Sequence, residues 1–213
     1  MAKKQTKERR SNAERSAETQ GKLLDATEQC LIDLGYARTT NLEVCRRAGL
    51  SNGALLHHFH TRENLMASTL ERLYDRLKQH VVREVEGLTP HADRLDHLVE
   101  MLWSVFDSDD FKVVLELWLA AANDKALRSR VFPVMQEFSD SIEPTAAHLL
   151  PDLAVNTSRF SGVVGLLMYV VQGMGLARAT FGREDDDESL YTRPLIKELI
   201  RRAFEKDTQP EGL

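Results

Sequence analysis

Residues 39–65 read TTNLEVCRRAGLSNGALLHHFHTRENL, and this stretch decides the fold. Thr40-Asn-Leu-Glu43 has the spacing of a capping box, so a short helix opens there, turns Val44, Cys45 and Ala48 inward and stops at Gly49. Ser51 caps a third helix ending at His58 or Phe59, and Thr61 caps a fourth that runs through Leu65, Leu70, Leu73 and Leu77 toward Gly87. Two short helices joined by a tight Gly turn and packed on a longer one describe a helix-turn-helix rather than a bundle.

Upstream, Ser11-Asn-Ala-Glu14 is a second capping-box pattern; Leu23, Thr27, Cys30, Leu31 and Leu34 then recur on one helical face until Gly35. Downstream the pattern predicts longer helices over about 93–106, 110–123 and 125–149, the last interrupted by Pro133 and Pro144. A long helix follows from 156 or 158 to 180, then a solvated acidic loop over 184–188 and a final helix over 191–206. No repeat and no strand is expected, so the fold class is all-α.

Composition agrees. The 213 residues are 42% apolar and 29% charged, ordinary for a soluble globular protein, and only 7% aromatic with Gly 11 and Pro 6, which favours long helices over many short strands. Cys30 and Cys45 cannot build a disulfide framework or a four-ligand zinc site, which suits a reducing cytoplasm. Lys3, Lys4, Lys7, Arg9 and Arg10 have no apolar stretch behind them, so no secretory signal is read and a cytoplasmic location is expected. The net charge of -5 conceals an asymmetry: residues 1–62 carry 11 Lys+Arg against 7 Asp+Glu, whereas 63–213 carry 17 against 26. A basic N-terminal end points to a nucleic-acid or membrane surface. Residues 160–177 lack charges for eighteen positions, but Ser161, Gly162, Gly165, Gln172, Gly173 and Gly175 dilute their hydrophobicity, so they read as a buried helix rather than a membrane span.

Thr39-Thr40, Cys45 with Ala48-Gly49 three positions on, Ser51-Asn52-Gly53, His58-Phe59 and Arg62-Glu63-Asn64-Leu65 together resemble the tetracycline-repressor (TetR) family of transcriptional regulators. The specific likeness spans about 17–77; beyond it, helix number and length carry the resemblance. One position departs: Leu56 stands where the family usually has Tyr. With the resemblance, the chain divides into a basic disordered arm (1–10), a helix-turn-helix DNA-binding domain (11–60), a connecting helix (61–87) and a ligand-binding and dimerisation domain (90–207).

A helix entering the major groove needs small residues for close approach and polar groups at its start. Ser51, Asn52, Gly53, Ala54, Leu56 and His57 fit, with Asn52 able to bond a base edge and Leu56 offering a methyl surface to thymine, while Leu55 and Phe59 point inward. Thr40 either caps its helix or also gives its hydroxyl to a phosphate. Arg46, Arg47 and Arg62 are cation candidates for the DNA backbone, and the resemblance singles out Arg62. The arm either follows the minor groove or stays a disordered tail. His57, His58 and His60 diverge around a helix without a carboxylate or Cys at ligand spacing, so no metal site and no cofactor is expected; His58 reads as a packed histidine hydrogen-bonded within the domain.

The helix from Ser158 is apolar nearly all round and needs two partners, its own core and a copy of itself, so Phe160, Val164, Leu167 and Val171 are assigned to dimerisation. The resemblance implies the same interface and an effector cavity in the middle helices, for which Met101, Phe106, Trp118, Met135, Phe138, Tyr169 and Gln172 are the candidate lining. The reading is a homodimeric DNA-binding regulator, a repressor on a palindromic double-stranded operator, released by an unknown small-molecule effector and without a membrane partner. Competing classes are a constitutive DNA-bound dimer without an effector, and a helical-bundle enzyme. The latter lacks a nucleotide loop, HExxH, GxSxG or paired carboxylates.

Overall fold

Ser11 opens the first helix, α1 (Asn12–Leu34), with both halves of its capping box made: its Oγ accepts the Glu14 N–H at 3.1 Å, and its own N–H reaches the Glu14 carboxylate at 2.7 Å. In the computed structural model, which describes residues 11–86, 91–106, 108–155, 157–181 and 187–205, eight more α-helices follow among the described residues, and no strand. They are α2 (Asn41–Ala48), α3 (Asn52–His58), α4 (Arg62–Glu86), α5 (His91–Phe106), α6 (Asp109–Asn123), α7 (Lys125–Leu149), α8 (Thr157–Phe181) and α9 (Asp187–Glu205), with a 3₁₀ turn at Tyr36–Arg38. The basic arm, Gly87, Gly182 and the start of the acidic run lie outside the described residues.

Two glycines take backbone conformations that side chains resist. Gly49 is left-handed (φ 65°, ψ 34°) and closes α2; Gly35, at φ 74° and ψ 171°, lies in a region essentially confined to glycine and swings the chain from α1 into the 3₁₀ turn. The capping box expected at Thr40 is only half formed. Thr40 accepts the Glu43 N–H at 3.2 Å, but the Glu43 carboxylate is drawn away by Arg46 and Arg47, which hold its carboxyl down at about 2.

Three expectations about the longer helices are corrected. Pro133 and Pro144 do not interrupt α7, which runs unbroken over its 25 residues; each proline removes one backbone bond, and packing against α4, α6 and α8 holds the helix through them. Asp187 and Glu188 belong to the first turn of α9, and not to a loop. Helix α5 begins at His91.

Apolar burial gathers into three clusters. Leu23, Leu24, Cys30, Val44, Cys45, Leu55, Phe59 and Leu65 join α1, α2, α3 and the start of α4 into a head. In the body, one cluster binds α4, α6 and α7, through Leu70, Tyr74, Phe111, Leu117, Leu127 and Val131, and it includes Leu31 of α1. The other binds α5, α8, α9 and the end of α7, through Val99, Leu149, Phe160, Ile196 and Ile200. Helix α4 contributes to both head and body, so the two are continuous along it.

Candidate DNA-binding surface and effector cavity

Helix α3 presents Ser51, Asn52, Gly53, Leu56 and His57 to solvent, with Ala54 half-buried, while Leu55 and Phe59 are 0% and 3% exposed. The two adjacent leucines therefore divide as their spacing requires, Leu56 standing 41% exposed. Nothing inside the fold calls for glycine at 53. Its backbone is helical, and a Cβ there would meet only the Ser51 Oγ, at 3.8 Å. A glycine that costs helix stability of roughly 1 kcal/mol without an internal reason fits a surface that must come close to something outside. Thr40 is exposed at the start of α2, and Leu42, 79% exposed beside it, is an outward apolar residue the sequence reading did not single out.

Arg62 departs from its expected role. Its Nε donates to the Thr39 carbonyl at 2.9 Å, its Nη2 donates to the Tyr36 carbonyl, and its guanidinium lies 3.9 Å over the Tyr36 ring. It is a brace fastening α4 to the 3₁₀ turn, because the carbonyls left at the end of that turn need donors more than a distant phosphate does. Arg47 is likewise engaged, with Asp33, Glu43 and the Gln29 carbonyl. His58 makes no hydrogen bond to a described residue and packs by ring contact, 6.3 Å from Phe59 and 5.3 Å from His57. Among the described residues no three His, Cys, Asp or Glu side chains gather as a metal site. Burial raises both cysteine thiols above their ordinary pKa.

Between the two body clusters lies a cavity of about 730 Å³, walled by α4, α5, α6, α7, α8 and Ile200 and Phe204 of α9. Of the candidate lining residues, Phe106, Trp118, Met135, Phe138 and Gln172 face it, and Tyr169 stands at its rim, 76% exposed. Met101 does not: it is 6% exposed and packed in the α5–α8–α9 cluster, because the inward face of α5 is divided between cavity and core. Tyr74, missed by the sequence reading, is a wall residue; its ring stacks 4.0 Å from Phe138 and its oxygen accepts the Trp118 indole N–H at 3.0 Å.

The residues assigned to dimerisation also move. Phe160 and Val171 are 2% and 1% exposed inside the chain's own core, and Val164 and Leu167 are half-buried against it. The apolar side chains that α8 leaves outside are Leu166, Tyr169, Leu176 and Phe181, and α9 adds Tyr191, Leu195 and Leu199. Gly175, by contrast, faces inward so tightly that a Cβ would lie 2.5 Å from Phe111 Cε1. Residues Ser158–Phe181 are long and apolar enough to cross a membrane by length and composition; in this fold Phe160, Val171 and Gly175 pack inside the protein.

These features agree with what the chain is similar to. The model of the bacterial regulatory proteins of the tetR family matches residues 23–69, which span the end of α1, α2, α3 and the start of α4. The HTH-type transcriptional regulator CymR of Pseudomonas putida is 29% identical over 198 residues, 93% of this chain and 97% of its own. A TetR-family member from Streptomyces coelicolor A3 superposes with a TM-score of 0.66 at 22% identity, over 88% of this chain and 98% of its own. A regulator from Saccharomonospora viridis, solved in complex with choline, does so with a TM-score of 0.65 at 16% identity, over 89% and 96%. Residues 23–69 thus match the tetR-family helix-turn-helix, the chain as a whole is similar in sequence to HTH-type transcriptional regulators, and it shares the fold of a TetR-family structure.

Proposed function

We propose that the protein is a cytoplasmic homodimeric repressor that binds a palindromic operator through two copies of α3 and leaves it when a small molecule fills the cavity. The observation that carries this reading is the cavity itself: about 730 Å³, within the size range of small-molecule sites, with α4 as one wall and the same α4 rooted in the head beside α3. A ligand that reshapes the wall would bias where the two heads sit, and half-sites ~34–36 Å apart tolerate little mismatch. The regulator from Saccharomonospora viridis holds a small molecule, choline. We take 11–60 as the DNA-binding domain, 61–87 as the connecting helix and 90–207 as the regulatory and dimerisation domain.

The exposed apolar rows of α8 and α9 supply the self-complementary face of the dimer, with Gly162 and Gly173 exposed among the α8 positions and open to close approach. The test is sedimentation and DNA binding of wild type and of Leu166→Arg with Leu199→Arg. The wild type is expected to sediment as a dimer and to footprint an inverted repeat upstream of its own gene. The double variant should sediment as a helical monomer with that footprint lost. A wild-type monomer that binds a two-half-site duplex tightly overturns the reading.

A further inference from the structure

Among the described residues, the cavity wall carries a buried donor with no acceptor for its hydrogen. Tyr74 is 6% exposed and its oxygen accepts from Trp118, but its hydroxyl hydrogen finds no acceptor among the described residues. Buried hydroxyls normally have both capacities used, so a spare donor on a cavity wall marks where a ligand acceptor belongs. Burial pushes the Tyr74 pKa up to about 12, so the group remains a donor throughout the physiological range. Around it the wall is aromatic: Phe138 is stacked on the Tyr74 ring, and Phe111 meets Trp118 edge to face at 6.4 Å. Charge is largely committed elsewhere. Arg76, on the same wall, is shared between Glu28 of α1 and Asp110 of α6, at 3.3 and 2.8 Å, and Lys78 is exposed.

We infer that the effector is an uncharged aromatic molecule carrying an oxygen acceptor, a ketone or similar carbonyl, which takes the Tyr74 hydroxyl hydrogen. This rests on the effector reading of the cavity. A carboxylate placed against the Tyr74 hydroxyl would surrender its hydration for one neutral donor, since of the lining cations Arg76 is shared between Glu28 and Asp110 and Lys78 is exposed to solvent, whereas a carbonyl needs only that donor.

The experiment uses three naphthalene probes of one size, 2-acetonaphthone, 2-isopropylnaphthalene and 2-naphthoate, titrated calorimetrically into the full chain. Wild type is expected to bind the ketone roughly three- to tenfold more tightly than the hydrocarbon, with the carboxylate weaker than the ketone. Tyr74→Phe keeps the ring and its stacking on Phe138 and should bring ketone and hydrocarbon to parity. Trp118→Phe removes the other partner of the same oxygen and should leave the ketone preference standing. A preference that survives Tyr74→Phe, or a carboxylate that binds best, overturns the inference while leaving an effector cavity in place. Failure of all three probes to bind wild type overturns both.

Discussion

The backbone N–H of Tyr36 donates to Oε2 of Glu116 at 2.7 Å, joining the turn that follows α1 to the middle of α6. The Tyr36 hydroxyl adds a second bond, to Oδ2 of Asp124 at 3.2 Å, where Asp124 also caps α7 by accepting the Leu127 N–H. One residue thus links the head to two helices of the body, and the same α6 lines the cavity through Phe111, Val114 and Trp118. Arg62 over the Tyr36 ring completes the junction.

The junction depends on Gly35. A Cβ there would sit 3.1 Å from Glu116 Oε2 at a φ of +74°. Gly35→Ala should therefore destabilise the protein by about 1–3 kcal/mol and loosen the head from α6, read as a lower urea midpoint. Glu116→Gln, which retains an acceptor without the charge, should lose less. Equal stability of Gly35→Ala and wild type would show that the turn is not held as described.

Asp124 makes stability pH-dependent. The Leu127 backbone N–H, and after it the Tyr36 hydroxyl, hold its pKa below the ordinary 3.8. A depressed folded-state pKa contributes stability that is present above pH 3.8 and lost as pH falls through the lower folded value. Asp124→Asn keeps a capping side chain but no charge, so wild type should exceed it at pH 7 and the two should converge in acid. Urea melts at pH 7, 5 and 3 measure this; a gap of the same size at every pH contradicts it.

Arg62 and Asn52 should separate in solution. Arg62→Ala removes donors to two carbonyls and the contact with Tyr36, and is expected to cost about 2 kcal/mol or more of stability with little change in the salt slope of DNA binding. Asn52→Ala should leave stability alone and relax base preference at one position by roughly 1–3 kcal/mol. Denaturation together with affinities for an operator and a scrambled duplex at several salt concentrations distinguishes them. A salt slope that falls by about one charge in Arg62→Ala would return that residue to the phosphates.

Leu56 is exposed next to fully buried Leu55, so its methyls are available to a thymine in the operator half-site. Replacing that thymine with uracil should weaken wild-type binding by about 0.8 kcal/mol, a several-fold loss, and should be nearly silent on Leu56→Ala. If every thymine-to-uracil change in the half-site is tolerated by wild type, Leu56 does not read a methyl.

Caps, stops and the inward face of the head could all be read from the chain, because they are local. Ser11, Thr40, Ser51 and Thr61 each bond a backbone N–H three residues on, and Gly35 and Gly49 each hold a positive φ. Leu23, Val44, Leu55 and Phe59 follow from spacing alone, since a head of short helices offers each one a single way in. What tertiary structure decided is which face of a helix met which neighbour. Helix α8 is apolar on nearly every side, so periodicity could not say that Phe160 and Val171 serve the chain's own core while Leu166 and Tyr169 remain outside. Nor could it tell that Arg62 would find two carbonyls 23 and 26 residues back, or that Tyr74 and Trp118, 44 residues apart, would share one bond beside a cavity. Those pairings depend on how α4, α6 and α7 pack, and packing is chosen by the whole set of apolar surfaces that must be buried together.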